Sequence, residues 1–339
     1  MISNYNGYTS CWGSKRYQTS IRADFLTVTN PEETTTVLAT GCSGFLGRHC
    51  AAALVRHGFN VHAVSRTGQG IAADGITWHK LDLQSREATA GLIAALRPSH
   101  LLHLAWVTAP DRYRHSAENL DWMEASLALV KSFAEQGGQR FVGAGSCAEY
   151  EAMADRCIED KTSIRPTSLY GQCKAALWMG TELYARHYGF SAAWGRVFLP
   201  YGPGDESRRL VPSLLTALAA GRSIDVTDGS QVRDFIYTTD VADLLVQLLQ
   251  TPQATGAYNV GTGHGTAVRQ VIERVAGHFQ ALELVRFGAR PGPTDEPPFL
   301  VADMAKVERV LGWRAAISID KGLEQLLPKE GALLPQSAS

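Results

Sequence analysis

Residues 36–47 constrain this chain more than any other stretch. Thr36-Val37-Leu38-Ala39-Thr40 is a short run of strand-forming residues that passes directly into Gly41-Cys42-Ser43-Gly44-Phe45-Leu46-Gly47. A helical pattern follows over 47–57, then a second strand over Asn60–Ser65. In such a strand–loop–helix–strand unit the glycines allow a tight turn and a close backbone approach, and the helix N-terminus faces an anion. Gly41, Ser43, Gly44, Phe45, Leu46 and Gly47 are therefore expected to cradle the pyrophosphate of a dinucleotide.

The rhythm continues along the chain. Strand patterns recur over 76–81, 100–105, 140–145 and 192–198, separated by helical patterns over 84–96, 116–136 and 167–188. Short apolar strands alternating with helices predict a parallel sheet covered on both faces, a doubly wound α/β fold of the Rossmann type. After Pro200 glycine and proline become denser (Tyr201-Gly202-Pro203-Gly204, Pro291-Gly292-Pro293, Pro297-Pro298), and shorter elements mix: helical over 212–220 and 240–249, extended over Val232–Tyr237. The expected organisation is an N-terminal extension over 1–34, a dinucleotide-binding domain over 35–199 and a smaller C-terminal α/β substrate lobe over 200–330, with the chain crossing between lobes. The tail from Lys329 is polar and small.

Composition narrows the function classes. A net charge of −1 over 339 residues leaves no basic excess for a nucleic-acid or membrane-surface binder. No apolar run reaches the roughly 18 residues of a membrane-spanning helix. The stretch 1–34 lacks the apolar centre of a secretion signal. Six cysteines, at 11, 42, 50, 147, 157 and 173, form no C-x-x-C pair and no ligand cluster. That usage points to reduced thiols in a cytoplasmic protein without a metal site.

Three further features carry chemistry. The second strand ends in Ser65-Arg66, where an acidic residue would receive the ribose 2′-hydroxyl of NAD. A guanidinium suits a 2′-phosphate instead, so NADP is expected over NAD, the alternative being a solvated surface arginine. Asp82-Leu83 after the third strand offers a carboxylate to the adenine amino group, or simply a helix cap. Tyr170 and Lys174 stand four apart in a helical stretch and share a face. An ammonium beside a phenol lowers its pKa from about 10 toward neutrality, making it a proton donor and acceptor at a carbinol. Ser146, just after the fifth strand, could bond the same substrate oxygen, or could be an ordinary turn serine.

Taken in order, these stretches resemble the extended short-chain dehydrogenase/reductase superfamily, in the branch called NAD-dependent epimerase/dehydratase. The matching residues are Thr40-Gly41-x-x-Gly44-Phe45-Leu46-Gly47, Asp82-Leu83, His103-Leu104-Ala105, Ser146 before Tyr150, Tyr170-x-x-x-Lys174, Arg196-Val197-Phe198 leading to Tyr201-Gly202-Pro203-Gly204, and Arg233-Asp234-Phe235-Ile236-Tyr237-x-x-Asp240. Ala302-Asp303 and Leu311-Gly312-Trp313 match the usual close. The resemblance implies a dinucleotide site that also includes Leu104, Ala105, Trp106, Phe198 and Pro200. It implies a nucleotide-sugar between the lobes, met by Ser146, Cys147, Leu199, Val211 and Arg233. Arg233 would grip the diphosphate, unless it pairs with Asp234 or Asp240. It also implies a homodimer through the two long helices, whose apolar positions include Leu127, Val130, Phe133, Ala176, Met179 and Leu183.

Departures from the family pattern narrow the reaction. Sugar-nucleotide 4,6-dehydratases carry an Asp-Glu pair directly after the serine or threonine, and here those positions are Cys147 and Ala148. Relatives that epimerise at C3 and C5 place a cysteine where Ala148 stands, so Cys147 reads as a packed thiol. Leu199 replaces a usual asparagine, and Trp106 a usual small residue. What remains is hydride chemistry at one carbinol. The expectation is NADPH-dependent reduction of a nucleotide-linked 4-keto-6-deoxysugar, with Tyr170 as acid, Lys174 tuning it and Ser146 orienting the carbonyl. A 4-epimerase with a retained dinucleotide is the alternative. A non-catalytic NADP-binding scaffold is a second one, which the intact Ser146, Tyr170 and Lys174 disfavour.

Overall fold

A computed structural model describes residues 35–71, 73–110, 113–152, 155–292 and 297–328. The extension over 1–34 and the tail from Lys329 lie outside the described residues. The chain runs β1 (Thr36–Thr40), α1 (Phe45–Arg56), β2 (Asn60–Ser65), β3 (Ile76–Lys80), α2 (Arg86–Leu96), β4 (His100–His103), α3 (Glu118–Glu135), β5 (Arg140–Ser146), α4 (Leu169–Tyr188) and β6 (Ser191–Val197). It continues through β7 (Leu199–Tyr201), α5 (Leu210–Ala219), β8 (Ile224–Asp225), β9 (Val232–Tyr237), α6 (Thr238–Gln250) and β10 (Gly256–Val260). It closes with β11 (Gly265–Ala267), α7 (Val268–His278), β12 (Val285–Arg286), β13 (Phe299–Leu300), α8 (Ala305–Leu311) and α9 (Ile319–Leu326).

The main sheet has seven parallel strands in the order β3-β2-β1-β4-β5-β6-β10. Strand order reverses between β1 and β4, which opens a crevice beyond their carboxyl ends, where ligands of such folds bind. Helices α1 and α6 pack together on one face, and α2, α3 and α4 on the other. Each face has its own buried apolar layer: Val37, Ala39 and Leu244 on the first, Leu38, Phe133 and Trp194 on the second. The outer sheet of β7, β9, β11 and β13 and the pair β8–β12 enclose a third core around Leu214, Phe235 and Val271.

The doubly wound parallel sheet matches expectation, and its extra strand does not. β10 lies in a stretch rich in turn residues, with Asn259 at a position that strand propensity disfavours. The asparagine is fully buried because its whole side chain is bonded. It accepts from the Tyr150 hydroxyl at 2.7 Å and donates to the carbonyls of Cys157 at 2.7 Å and Asp303 at 3.0 Å. Tertiary partners override local preference here. Arg140 at the start of β5 secures the neighbouring segment: its buried guanidinium donates to the carbonyls of Leu248 and Ala254, at the end of α6 and just before β10.

The apolar stripe assigned to a subunit interface divides in two. Val130 and Phe133 are fully buried against the sheet. Met179 and Leu183 stand 65% and 61% exposed on α4, and Leu120 is 48% exposed on α3. Helical spacing alone does not separate the two faces, because a long helix over a sheet buries one stripe and can present another.

Candidate active site

The carboxyl ends of β1, β2, β4 and β5 open into a cleft of about 710 Å³. The glycine loop forms its base. Gly41 has φ +75°, and a Cβ there would collide with the backbone of Leu104 and Ala105. The Gly41 carbonyl accepts from the Gly44 amide at 3.0 Å, and α1 begins at Phe45, two residues before the sequence pattern places it. Ser43, Gly44, Phe45, Leu46 and Gly47 all line the cleft at the mouth of α1. A backbone cradle with no side chain in the way, ending at a helix N-terminus, fits a dinucleotide pyrophosphate.

The remaining expected dinucleotide residues come together on the same wall: Ser65, Arg66, Asp82, Leu83, Leu104, Ala105, Trp106, Phe198 and Pro200. Arg66 is exposed at the end of β2. Ser65 is committed to its own turn, donating to the Gln69 carbonyl at 2.8 Å and accepting from the Gln69 amide at 3.0 Å. Asp82 lines the cleft and accepts from the Gln84 amide at 3.0 Å in the turn before α2, whose N-cap is Ser85, so Asp82 is not the helix cap.

A hydrogen-bond chain fixes the ends of β1 and β4. Thr40 Oγ1 accepts from the amides of Leu104 and Ala105 at 3.2 and 3.3 Å, so its proton goes to His103 Nδ1 at 2.7 Å. His103 then donates from Nε2 to Ser126 at 2.9 Å, and Ser126 to the Trp122 carbonyl at 2.6 Å. This direction requires a neutral imidazole. Burial pushes the His103 pKa down to about 3, with the Lys174 charge adding to the effect.

Ser146, Tyr170 and Lys174 meet at the far end. Ser168 caps α4 by accepting from the Gly171 amide at 3.2 Å. A Cβ on Gly171 would strike the Ala148 carbonyl, so only glycine lets the first turn of α4 press onto the turn after β5. That approach brings the Tyr170 phenol near Ser146, close enough for the serine to favour the ionised phenol. One turn on, Lys174 is buried, donates to the Ala144 carbonyl at 2.9 Å and sits 4.0 Å from the centre of the Trp106 ring.

Electrostatics here differ from the simple expectation. Burial pushes the Tyr170 phenol up, and the neighbouring Tyr113 adds to this, while Ser146 pulls the other way. Burial also lowers Lys174 to about 7, against a smaller opposing effect of Glu149. An ammonium turned to a carbonyl and an indole face is not spent on the phenol, so the expected depression of the tyrosine is absent from the protein alone.

Of the residues assigned to substrate, Ser146, Cys147, Leu199 and Arg233 line the cleft, and Val211 does not. Val211 is buried in the third core beneath α5, because the first turn of that helix faces inward. Arg233 projects from β9 and donates to the carbonyls of Val232 at 3.0 Å and Pro298 at 3.4 Å. Asp234 instead accepts from the amides of Thr262, Gly263 and Ala302, and Asp240 from the Ile317 amide.

Trp106, expected in the cleft, donates from its indole to Asn119 at 2.8 Å. Other cleft residues escaped the sequence reading: Tyr113 meets Tyr170 edge-on at 4.9 Å. Arg209 bridges the mouth, bonding the Thr108 carbonyl at 3.2 Å and Asp205 at 3.3 Å. Glu149 sits below the floor. Its signal was present as Ser146-x-x-Glu149, a capping-box spacing, and the structure confirms a reciprocal cap there. No described helix is long and apolar enough to cross a membrane, and no group of three potential metal ligands occurs among the described residues.

The family model of the NAD dependent epimerase/dehydratase family matches residues 37–261. A UDP-glucose 4-epimerase of Bacillus subtilis (strain 168) is 26% identical, over 86% of this chain and 94% of its own length. Two solved structures share the fold. One is a UDP-glucose 4-epimerase of Thermotoga maritima with UDP-glucose, with a TM-score of 0.78 and 22% identity over 86% of this chain and 96% of that one. The other is a UDP-glucose 4-epimerase of Thermus thermophilus in complex with NAD, with a TM-score of 0.76 and 24% identity over 85% and 96%. With the glycine loop, the Ser146–Tyr170–Lys174 cluster and the family match in agreement, the chain belongs to the NAD-dependent epimerase/dehydratase family and is an NAD(P)-dependent enzyme of the extended short-chain dehydrogenase/reductase type.

Proposed function

We propose that this enzyme is a nucleotide-sugar 4-epimerase that retains its dinucleotide. The observation that carries the reading is the convergence of Ser146, Tyr170 and Lys174 on one cleft whose neighbouring positions, Cys147 and Ala148, hold no carboxylic acid. That arrangement supports redox chemistry at one carbinol and supplies no acid/base pair for dehydration. The names of the relatives, UDP-glucose 4-epimerases, favour epimerisation over the one-way ketone reduction expected from the sequence.

The bound dinucleotide would accept hydride from C4 of the sugar and return it to the opposite face. Around that exchange, Tyr170 takes the proton of the C4 hydroxyl and gives it back, while Ser146 hydrogen-bonds the same oxygen and keeps it facing the phenol. With a dinucleotide bound, Lys174 would turn from the Ala144 carbonyl to the ribose and would then lower the phenol's pKa. Arg233 holds the substrate diphosphate through both half-reactions, so that the ketone can turn without leaving. The relative solved with NAD favours NAD as the resident dinucleotide. Arg66 gives the site tolerance for a 2′-phosphate. The exposed face of Leu120, Met179 and Leu183 supports a homodimer through α3 and α4.

The deciding experiment incubates purified enzyme with UDP-glucose and follows both sugar identity and nicotinamide absorbance. Interconversion to the C4 epimer without net absorbance change is expected. Stoichiometric consumption of NADPH with a nucleotide-4-keto-6-deoxysugar, and no interconversion, would establish the reductase instead.

A further inference from the structure

Glu149 closes the turn that follows β5, directly beneath Ser146. Its side chain is fully buried, and both oxygens are engaged. Oε1 accepts from the Ser146 amide at 2.7 Å and from the Trp194 indole at 2.9 Å, and Oε2 accepts from Arg196 Nε at 2.9 Å. Trp194 in turn stacks on Trp178 of α4, with ring centres 5.7 Å apart and planes 19° from parallel. An ion pair taken wholly out of water is weak evidence for stability, since packed apolar residues of similar volume often do as well. Here the carboxylate ties the Ser146 turn to two residues of β6, and β6 reaches the underside of α4 through the Trp194–Trp178 stack.

We propose that Glu149 is a positioning residue for proton transfer at Tyr170, fixing the Ser146 turn against α4 and holding a negative charge under the Tyr170–Lys174 pair. This rests on the reading of the site as one for C4 redox chemistry. Arg196 faces the carboxylate from β6 and also bonds the Tyr150 hydroxyl at 3.2 Å and the Glu159 carbonyl at 3.4 Å. Tyr170 and Lys174 face it from α4, with Tyr113 beside Tyr170 and His103 beside Lys174; Cys147 lies on the same turn. Burial moves Tyr170 up and Lys174 down, and the Glu149 charge raises both. The charge therefore favours holding on the phenol the proton that Tyr170 takes from the C4 hydroxyl, until the 4-keto group takes it back. A neutral phenol is the donor that the 4-keto group needs, so the sugar is returned to the alcohol before it can escape as a ketone.

The test needs a readout that packing alone would not move, and one that requires no substrate. Protein labelled with ¹³C at lysine Cε gives the ionisation of Lys174 by NMR, assigned with Lys174→Met. Glu149→Gln alone would strand a buried Arg196, so the pair is neutralised together as Glu149→Gln/Arg196→Gln, with Glu149→Asp as the charge-retaining control. The Lys174 midpoint should fall by about one pH unit in the neutral pair and hold in Glu149→Asp. An unmoved midpoint in a folded neutral pair overturns the proposal. Should that variant not fold, Trp194→Phe removes one donor and leaves the charge. A severalfold drop in kcat with unchanged KM is then expected, and wild-type kcat would overturn the positioning role. A shifted midpoint in a protein that turns over no nucleotide-sugar keeps Glu149's influence and refutes the epimerase reading instead.

Discussion

At the reaction end of the cleft Ser146, Tyr170 and Lys174 are buried, and each is held by a named partner, whereas at the β2 end Arg66 stands exposed beyond a serine that is occupied with its own turn. The first end has its geometry and charge set before any ligand arrives, and its low dielectric magnifies each charge. The second is wet and screened, so its contribution to recognition is adjustable and small. Substitutions at the two ends should therefore differ in size and in kind.

The sharpest contrast is expected from Tyr170→Phe. Loss of a positioned proton donor should cost on the order of 100- to 10,000-fold in kcat while dinucleotide affinity, by fluorescence titration, changes little. Dinucleotide binding lost in parallel with turnover would mean that the phenol is part of the binding surface and that the two ends are not separable.

Lys174 offers a test that is independent of activity. Its folded pKa of about 7 lies below the ordinary 10.5, so between those values the unfolded chain binds a proton that the native protein does not. Stability must then rise with pH across that window, and the full cost of burial falls below about pH 7. Lys174→Met should stabilise the protein by a few kcal/mol in denaturant melts at pH 6, with the gain shrinking toward pH 10, while turnover is lost. A gain that does not vary with pH would show that the ammonium is not buried as described.

Arg233→Met should raise KM for the nucleotide-sugar by roughly 10- to 100-fold, as for a lost charged hydrogen bond, with a smaller change in kcat. Arg66→Asp should weaken NADP relative to NAD by about tenfold in the same titration, a modest effect because the guanidinium is exposed. If the Arg66 effect exceeds that of Arg233, the β2 end carries more recognition than its exposure suggests. Cys147→Ala is expected to stay within about twofold in kcat, and a loss near that of Tyr170→Phe would make the thiol a participant.

The sequence was most legible where backbone geometry is the function. Gly41 and Gly47 announce a turn whose close backbone approach leaves no room for a side chain, and Tyr170 and Lys174 share a face by helical period alone. It was least legible where a residue acts through partners distant in the chain. Glu149 finds Trp194 and Arg196 across 45 and 47 positions, and Asn259 finds Tyr150 across 109. Val211 shows the converse: a position beside the cleft in family order faces away from it, because a helix rotates successive side chains by about 100°.

β10 and Arg140 have a consequence for how the protein must be made. The sheet that holds the cleft is closed by a strand that leaves the ribosome only after the chain has passed through β7, α5, β8, β9 and α6. Until Gly256–Val260 emerges, β6 is an open edge, and the guanidinium of Arg140 lacks the Leu248 and Ala254 carbonyls that receive it. A nascent chain stopped near residue 200 is thus an adhesive intermediate rather than a finished domain, with an unpaired strand as its template for aggregation. Fragments cut at the apparent lobe boundary should need chaperones or precipitate, and those that run through residue 260 should not.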